Sequence, residues 1–309
     1  MSKWGLAFAN GGQPGSICCA RFYDRLAGGL FLAEEKYETG EDGLLREVVG
    51  EWALEKHERL KRYIDISSHA RKKFIAGRSG AATYIDLFCG PGQSRVRDTN
   101  TIIDGSPLVA FKAARDSSYP FSAIHLGDLN SEIVDAACTR IRNAGGASTR
   151  YVGSAIAVVD QIVATVGKYG LHFALLDPYK LETLSFYLIQ SLSRLKRIDM
   201  LLHVSAMDLQ RNLDAYGEED VAALDAFAPG WRSAVDHKAR SQPSARAAIL
   251  NYWCGLVEQL GFSRPRYDLI TGSKNQRLYW LAFISREPIA NAFWDKIRYI
   301  SGQSDLPGL

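Results

Sequence analysis

Residues 83–92 read Thr-Tyr-Ile-Asp-Leu-Phe-Cys-Gly-Pro-Gly, an apolar run of strand-forming residues that ends in a glycine turn. A buried parallel strand followed by Gly-x-Gly places a loop at the carboxyl edge of a sheet, where α/β proteins bind nucleotide-like ligands. Gly90 and Gly92 lack a Cβ atom, so the chain can turn sharply and a ligand can approach the backbone closely. Asp86 lies near enough to orient this loop or to meet a positive charge on a ligand. A tight turn after a core strand, without any ligand, is the alternative interpretation.

The segments after this loop alternate between strand and helix patterns. Strands are predicted at residues 121–126, 148–152, 171–176 and 198–204, with helices at 107–115, 131–143, 155–168 and 181–196. A helix at 244–260, strands at 266–271 and 278–285 joined by a hairpin-like connection at 272–275, and a helix at 289–299 follow. The sequence therefore predicts a Rossmann-like α/β fold with a seven-stranded sheet, mostly parallel and ending in an antiparallel hairpin.

The remaining segments show weaker patterns. Residues 44–75 carry apolar side chains at three- and four-residue steps, which predicts two helices. Ser106 is predicted to cap the helix that starts with Pro107. We interpret residues 1–49 as an N-terminal extension, 50–309 as the main domain with leading helices at 50–80, 93–101 as a flexible polar loop, and 205–243 as an inserted substrate-recognition segment.

The composition is that of a globular protein. The chain has 309 residues, of which 47% are hydrophobic and 23% charged, and no apolar run is long enough to span a bilayer. We expect a soluble, cytoplasmic protein. Five cysteines without a Cys-x-x-Cys pair and six scattered histidines predict neither a disulfide framework nor a metal site. A serine hydrolase is unsupported, because no Gly-x-Ser-x-Gly elbow follows a strand.

Basic residues cluster on both sides of the glycine loop. Residues 56–97 have a clear excess of lysine and arginine, whereas residues 24–55 have an excess of acids. We predict that five of these cations contact the phosphates of a nucleic acid: Arg71, Lys72, Lys73, Arg95 and Arg97. Complementary pairing between the acidic and basic segments, or solvated helix faces, is the alternative.

Polar and small residues also follow the later strands. Asp128 ends the second strand, where an acidic group accepts hydrogen bonds from ribose hydroxyls in nucleotide-binding sheets. Leu129 lies beside it, and the turn Gly153-Ser154 after the third strand is predicted to contact an adenine edge. The fourth strand ends in Asp177-Pro178-Tyr179, for which an ordinary strand-to-helix turn is the alternative reading.

The glycine loop resembles the S-adenosylmethionine (SAM) loop of class I methyltransferases. Arg95 stands where a dinucleotide fingerprint has its third glycine, which disfavours NAD. The resemblance implies a cofactor site formed by Asp86, Phe88, Gly90, Pro91, Gly92, Asp128, Leu129, Gly153, Ser154 and Asp177. Residues 177–179 are similar to the Asp-Pro-Pro-Tyr element of amino-methyltransferases that act on bases, but the second proline is missing and Lys180 follows the tyrosine. That similarity implies Asp177 and Tyr179 as catalytic residues.

Several motifs in order also resemble the three-Cys-motif partner proteins. They are Trp52 with Lys56, Leu60 and Tyr63, the glycine loop, Gly105-Ser106-Pro107-Leu108, Leu176-Asp177-Pro178-Tyr179, and the terminal segment 278–294. The resemblance covers the chain from about residue 50 and implies a methyltransferase-like fold and a partner with a three-cysteine, radical-SAM-like motif. We predict a SAM-dependent methyltransferase acting on nucleic acid. The alternatives are a non-catalytic partner subunit that binds SAM or nucleic acid, and SAM chemistry on a small molecule or peptide.

Overall fold

The computed structural model describes residues 36–77, 81–97, 99–217, 223–237, 241–272 and 276–298. The strands are β1 (Tyr37–Thr39), β2 (Leu45–Val49), β3 (Ala82–Asp86), β4 (Gln93–Val96), β5 (Ile102–Asp104), β6 (Ala123–Asp128), β7 (Thr149–Val152), β8 (Leu171–Leu176), β9 (Ile198–Ser205), β10 (Arg266–Thr271) and β11 (Arg277–Ile284). The helices are α1 (Trp52–Ile66), α2 (Ser68–Ile75), α3 (Ser106–Asp116), α4 (Ser131–Asn143), α5 (Ala155–Thr165), α6 (Phe186–Leu192), α7 (Ala206–Gly217), α8 (Ala223–Phe227), α9 (Trp231–Ala234), α10 (Gln242–Gln259) and α11 (Pro288–Arg298).

Seven strands form the central sheet in the order β10-β11-β9-β8-β3-β6-β7. The five strands from β9 to β7 run parallel, and β11 is antiparallel to both β9 and β10. This arrangement confirms the predicted Rossmann-like sheet with its C-terminal antiparallel hairpin, although residues 273–275 of the hairpin connection lie outside the described residues. The loop after β3 thus lies between the ends of β8 and β6 at the carboxyl edge.

Helices cover both faces because successive strand residues are apolar on both sides. Ile85 and Ala174 pack into a core with α5, α6, α7 and α10. Tyr84 and Phe173, one residue earlier in each strand, pack into a second core with α1, α3, α4 and α11. Successive side chains of a strand point to opposite faces of the sheet, so each central strand contributes residues to both cores.

Four other strands form a second sheet in the order β1-β2-β4-β5. In the chain, β4 and β5 come directly after the glycine loop that follows β3. Two predictions are wrong here. Residues 45–49 form β2 rather than a helix, and α1 begins only at Trp52. Residues 93–96 form β4 rather than a flexible loop, because parallel pairing with β2, in the register Glu47 to Ser94, satisfies their backbone groups.

The proposed domain boundaries stay predictions. Residues 1–35 of the N-terminal extension lie outside the described residues, and the other residues up to 49 contain β1 and β2. The predicted insertion at 205–243 contains α7, α8 and α9, with residues 218–222 and 238–240 outside the description. Within the described ranges, no helix has the length and apolar character needed to cross a membrane.

Candidate active site

The glycine loop is tied to both strands that flank β3. The Leu87 amide donates to the Leu175 carbonyl of β8 (3.5 Å), and the Cys89 amide donates to the Gly127 carbonyl of β6 (3.0 Å). Gly90 and Gly92 have left-handed φ angles of 57° and 83°. These values are open to glycine at little cost, so the sharp turn requires both residues.

Asp86 lies inside the loop rather than on its surface. Its carboxylate accepts hydrogen bonds from the Tyr84 hydroxyl (2.9 Å), the Ser106 hydroxyl (2.7 Å) and the Phe88 amide (3.2 Å). Burial raises the pKa of Asp86 to about 7, although these hydrogen bonds act in the opposite direction. Of the two roles predicted for Asp86, orientation of the loop is the one that these contacts support.

The start of α3 corrects one further prediction. Gly105, rather than Ser106, is the N-cap residue, because the Ser106 hydroxyl is directed to Asp86. A Cβ atom on Gly105 would lie 2.8 Å from the carbonyl carbon of Gly92, closer than real Cβ atoms approach. The Gly105 amide also donates to the Gly92 carbonyl (2.9 Å), so α3 starts directly against the loop.

Asp128 reaches the loop from the end of β6. One carboxylate oxygen accepts from the Gly90 amide (3.3 Å) and the other from the Asn130 amide (3.2 Å). Burial raises the pKa of Asp128, and these two amides oppose that shift. Leu129, the next residue, leaves 74% of its surface exposed, so its side chain is accessible to a ligand at this edge.

The turn after β7 is joined to the same edge. The Gly153 amide donates to the Asp128 carbonyl (3.0 Å), and the hydroxyl of Ser154 caps α5 by accepting from the Ala157 amide (3.3 Å). The side chains of Val152 and Ile156, on either side of this turn, are exposed. The structure therefore brings Asp128, Leu129 and this turn together at one edge, and their contacts with a cofactor stay a prediction.

Asp177 stands at the end of β8, on the other side of the glycine loop. It accepts a hydrogen bond from the Lys56 ammonium of α1, and 19% of its side chain is exposed. Burial by itself would raise the pKa of Asp177, but Lys56 and His203 bring it below its ordinary value. Asp177 is therefore a carboxylate at neutral pH.

Two neutral histidines flank this ion pair. Burial lowers the pKa of His57 to about 3 and that of His203 to about 4. The Nδ1 atom of each is buried and has no hydrogen-bond partner in the part of the chain that the structure describes. Neither histidine was singled out from the sequence, because nothing in their spacing relates them to Asp177.

Tyr179 is the most open aromatic residue of the site, with 72% of its surface exposed. The ammonium of Lys36 lies 4.7 Å from the centre of its ring, a cation–π contact. The ring can stack with a planar group.

Glu47 of β2 is a residue that the sequence analysis missed. A Cβ atom built on Gly90 would lie 3.6 Å from Glu47 Oε2, and Lys36 Nζ lies 3.6 Å from Glu47 Oε1. The pair Val48-Val49 between Gly43 and Gly50 was the available signal, because β-branched residues bounded by glycines indicate a strand.

The predicted phosphate-binding residues do not form one surface. Arg71 is 1% exposed and donates to the carbonyls of Ile64 and Tyr119 and the hydroxyls of Ser67 and Ser117, so the prediction that it contacts phosphate is wrong. Arg95 makes a bidentate ion pair with Glu38. Lys72, Lys73 and Arg97 are exposed, and their contacts with nucleic acid stay predictions.

The chain was compared with known sequences and solved structures. The sequence matches no family model, and no curated protein matches it. Among solved structures, a Legionella pneumophila protein described as family DUF519 has 10% identity and a TM-score of 0.49, covering 80% of this chain and 91% of that chain. Magnesium protoporphyrin IX methyltransferase from Synechocystis, with bound SAM, has 12% identity and a TM-score of 0.36, covering 77% and 85%. A putative RNA methyltransferase from Pyrococcus horikoshii has 7% identity and a TM-score of 0.36, covering 74% and 84%. The assignment of a Rossmann-like α/β fold rests on the strand order and register given above.

Proposed function

We propose that the chain is a SAM-dependent methyltransferase that acts on a nucleic-acid base. The observation that carries the proposal is the placement of Asp177, the glycine loop and Asp128 at the ends of three neighbouring parallel strands, β8, β3 and β6. Ligands of open α/β sheets bind at this edge. Donor and acceptor sites would therefore lie side by side.

The residues present fit SAM. Gly90 has no side chain and faces the space beside Glu47, so a ligand can approach the backbone there, and Asp128 would accept hydrogen bonds from ribose hydroxyls. The exposed apolar side chains of Leu129, Val152 and Ile156 offer a surface for adenine. SAM, when bound, supplies an activated methyl group, so the protein has mainly to position the acceptor.

On the acceptor side, we assign positioning to Asp177. A carboxylate whose pKa is below its ordinary value is a good hydrogen-bond acceptor and a weak base at pH 7. Asp177 would thus hold the hydrogens of an exocyclic amine and direct its nitrogen, while the exposed ring of Tyr179 stacks on the base. An aromatic ring that stacks and a carboxylate that accepts hydrogen bonds from an amine together favour a nucleic-acid base over an aliphatic group as the methyl acceptor.

The partner belongs to the same proposal. The chain would act together with a radical-SAM-like protein that carries a three-Cys motif, the partner that the resemblance to the three-Cys-motif partner proteins implies. A non-catalytic subunit that binds SAM is the competing proposal, favoured by the ion pair in which Lys56 already donates to one oxygen of Asp177.

A transfer assay with tritium-labelled SAM tests the function. Wild-type protein and Asp177→Asn are incubated with RNA, DNA, protein and small-molecule fractions, with and without the three-Cys-motif protein. We expect label in RNA or DNA with the wild type and none with Asp177→Asn. Label confined to protein or small molecules would overturn the substrate class, and label in no fraction would favour the non-catalytic subunit.

A further inference from the structure

Glu47 presents a carboxylate to the glycine loop without being held by hydrogen bonds. Only 27% of its side chain is exposed, yet it accepts no hydrogen bond from any residue within the described ranges. Its one ionic partner there, Lys36, lies 3.6 Å away. Its carboxylate oxygens are not among the buried unpartnered atoms, so they stay accessible beside the glycine loop, where a positively charged ligand can reach them.

The surroundings of Glu47 make this arrangement costly for the free protein. Burial raises the pKa of Glu47, and the carboxylates of Asp177 and Asp128 act in the same direction, against the attraction of Lys36 and Lys56. A positively charged ligand would relieve the repulsion among the three carboxylates.

The position of Glu47 identifies which part of the ligand it faces. Asp128 follows β6 and Asp177 follows β8, one on each side of β3, and Glu47 lies above Gly90 of the loop between them. In SAM the sulfonium is the central atom, joined to adenosine on one side and to the methionine chain on the other. A cofactor that spans from Asp128 toward Asp177 has its sulfonium near the middle.

We propose that Glu47 is a positioning residue that faces the sulfonium of SAM and makes the site prefer SAM to S-adenosylhomocysteine. The inference rests on the proposed function and adds a residue from β2 to the cofactor site. Because the product carries a neutral sulfur, the attraction to Glu47 disappears once the methyl group has left. The same carboxylate would then hold the donor tightly and the product weakly.

Titration calorimetry with SAM and S-adenosylhomocysteine tests this on the full chain. For Glu47→Gln we expect SAM affinity to fall on the order of tenfold to a hundredfold, the range expected when a charge-assisted interaction is removed. Affinity for S-adenosylhomocysteine should change by less than about threefold. Glu41→Gln is the matched control, because it removes the same charge from the exposed turn of the β1–β2 hairpin and should leave both affinities unchanged.

Melting temperatures separate this role from a structural one. Glu47→Gln should melt at or above the wild-type temperature at pH 7, since it removes an unfavourable buried charge. Glu47→Asp keeps the charge but withdraws it by one methylene, and we expect an intermediate preference for SAM. An equal loss of affinity for both ligands, or no loss for either, would overturn the role of Glu47 while leaving the proposed function intact. Failure of the wild type to bind either ligand would overturn both.

Discussion

At the residue scale, the ionisation of Asp177 depends on Lys56. Burial favours the neutral acid, and the ammonium of Lys56 reverses that preference. Lys56→Met should therefore raise the pKa of Asp177. If the carboxylate form positions the acceptor, the acidic fall of kcat should begin at a pH at least about one unit higher than in the wild type.

A pH–rate series from roughly pH 3 to pH 9 measures this shift, because the wild-type midpoint lies below the ordinary pKa of 3.8. Lys61→Met, an exposed substitution on the same helix, is the control and should retain the wild-type profile. A Lys56→Met profile that keeps its midpoint but loses amplitude at every pH would show that Lys56 acts on packing rather than on ionisation.

Asp86 gives a second prediction, on stability. Its pKa is about 7 in the folded protein and ordinarily 3.8, so the folded state binds the proton more tightly than the unfolded state. The favourable contribution is complete below pH 4 and is lost as the pH rises to 7. The side chain of the Asp86→Asn variant does not ionise, so its stability lacks this pH dependence. The difference in free energy of unfolding, variant minus wild type, should therefore become more positive by a few kcal/mol from pH 4 to pH 8. Urea unfolding at both pH values measures the gain; a difference that stays constant with pH would refute the assignment.

At the scale of elements, the strands of the large sheet were predictable and those of the small sheet were not. β8 is apolar at every position except His172 and is recognisable from local pattern alone. β2 and β4 have mixed patterns, and each is stable as a strand because the other supplies its hydrogen bonds. Pairing between residues 47 and 94 is a tertiary interaction, so the apolar steps near residue 45 resemble the start of a helix when only the local sequence is considered.

Arg140 of α4 joins the small sheet to the glycine loop. Its guanidinium donates to both carboxylate oxygens of Asp42 (2.8 Å each), to the Leu45 carbonyl (2.6 Å) and to the Pro91 carbonyl (2.7 Å). Arg140→Met should leave these carbonyls unpaired and lower the free energy of unfolding by about 2–4 kcal/mol. SAM affinity should fall as well, because the loop and the hairpin that carries Glu47 lose their common anchor.

Chemical denaturation and calorimetry check both effects. Arg142→Met, an exposed substitution two residues along the same helix, should change neither quantity by more than about 0.5 kcal/mol. An Arg140→Met protein that loses stability but binds SAM normally would show that the hairpin is not coupled to the cofactor site.

At the scale of the whole molecule, the candidate site divides into a part that chain order predicts and a part that it does not. The ends of parallel strands meet at one edge by topology, so Asp128 and Asp177 could be assigned from the alternation of strands and helices alone. Lys36, Glu47 and Lys56 precede the first strand of the large sheet and reach this edge only through the small sheet and α1. Their contribution depends on tertiary packing, which the local pattern does not contain.

Chain order also shows at which edge of the large sheet each exposed lysine lies. Lys72 lies over the ring of Tyr119 (5.4 Å), just before β6, and therefore at the amino edge of the sheet. A strand of six residues places that edge roughly 20 Å from the glycine loop. Two other lysines lie at the carboxyl edge. Lys36 contacts the ring of Tyr179 and has 46% of its side chain exposed. Lys180 follows Tyr179 in the chain and has 42% of its side chain exposed.

If a nucleic-acid base enters the site beside Asp177, the phosphates next to it should contact the carboxyl edge. We expect Lys36→Glu combined with Lys180→Glu to weaken binding of single-stranded RNA on the order of tenfold or more, and to reduce the slope of log K against log salt by about 0.7 for each phosphate that is no longer neutralised. The sequence predicted phosphate contacts for Lys72 and Lys73, but the position of Lys72 at the amino edge favours the opposite outcome. Lys72→Glu combined with Lys73→Glu makes the same change in net charge and should bind as the wild type does once salt screens distant charges. Fluorescence anisotropy from about 50 to 300 mM salt compares the pairs. The reverse ranking would place the nucleic acid at the amino edge, away from Asp177, and would remove the support for a base as the methyl acceptor.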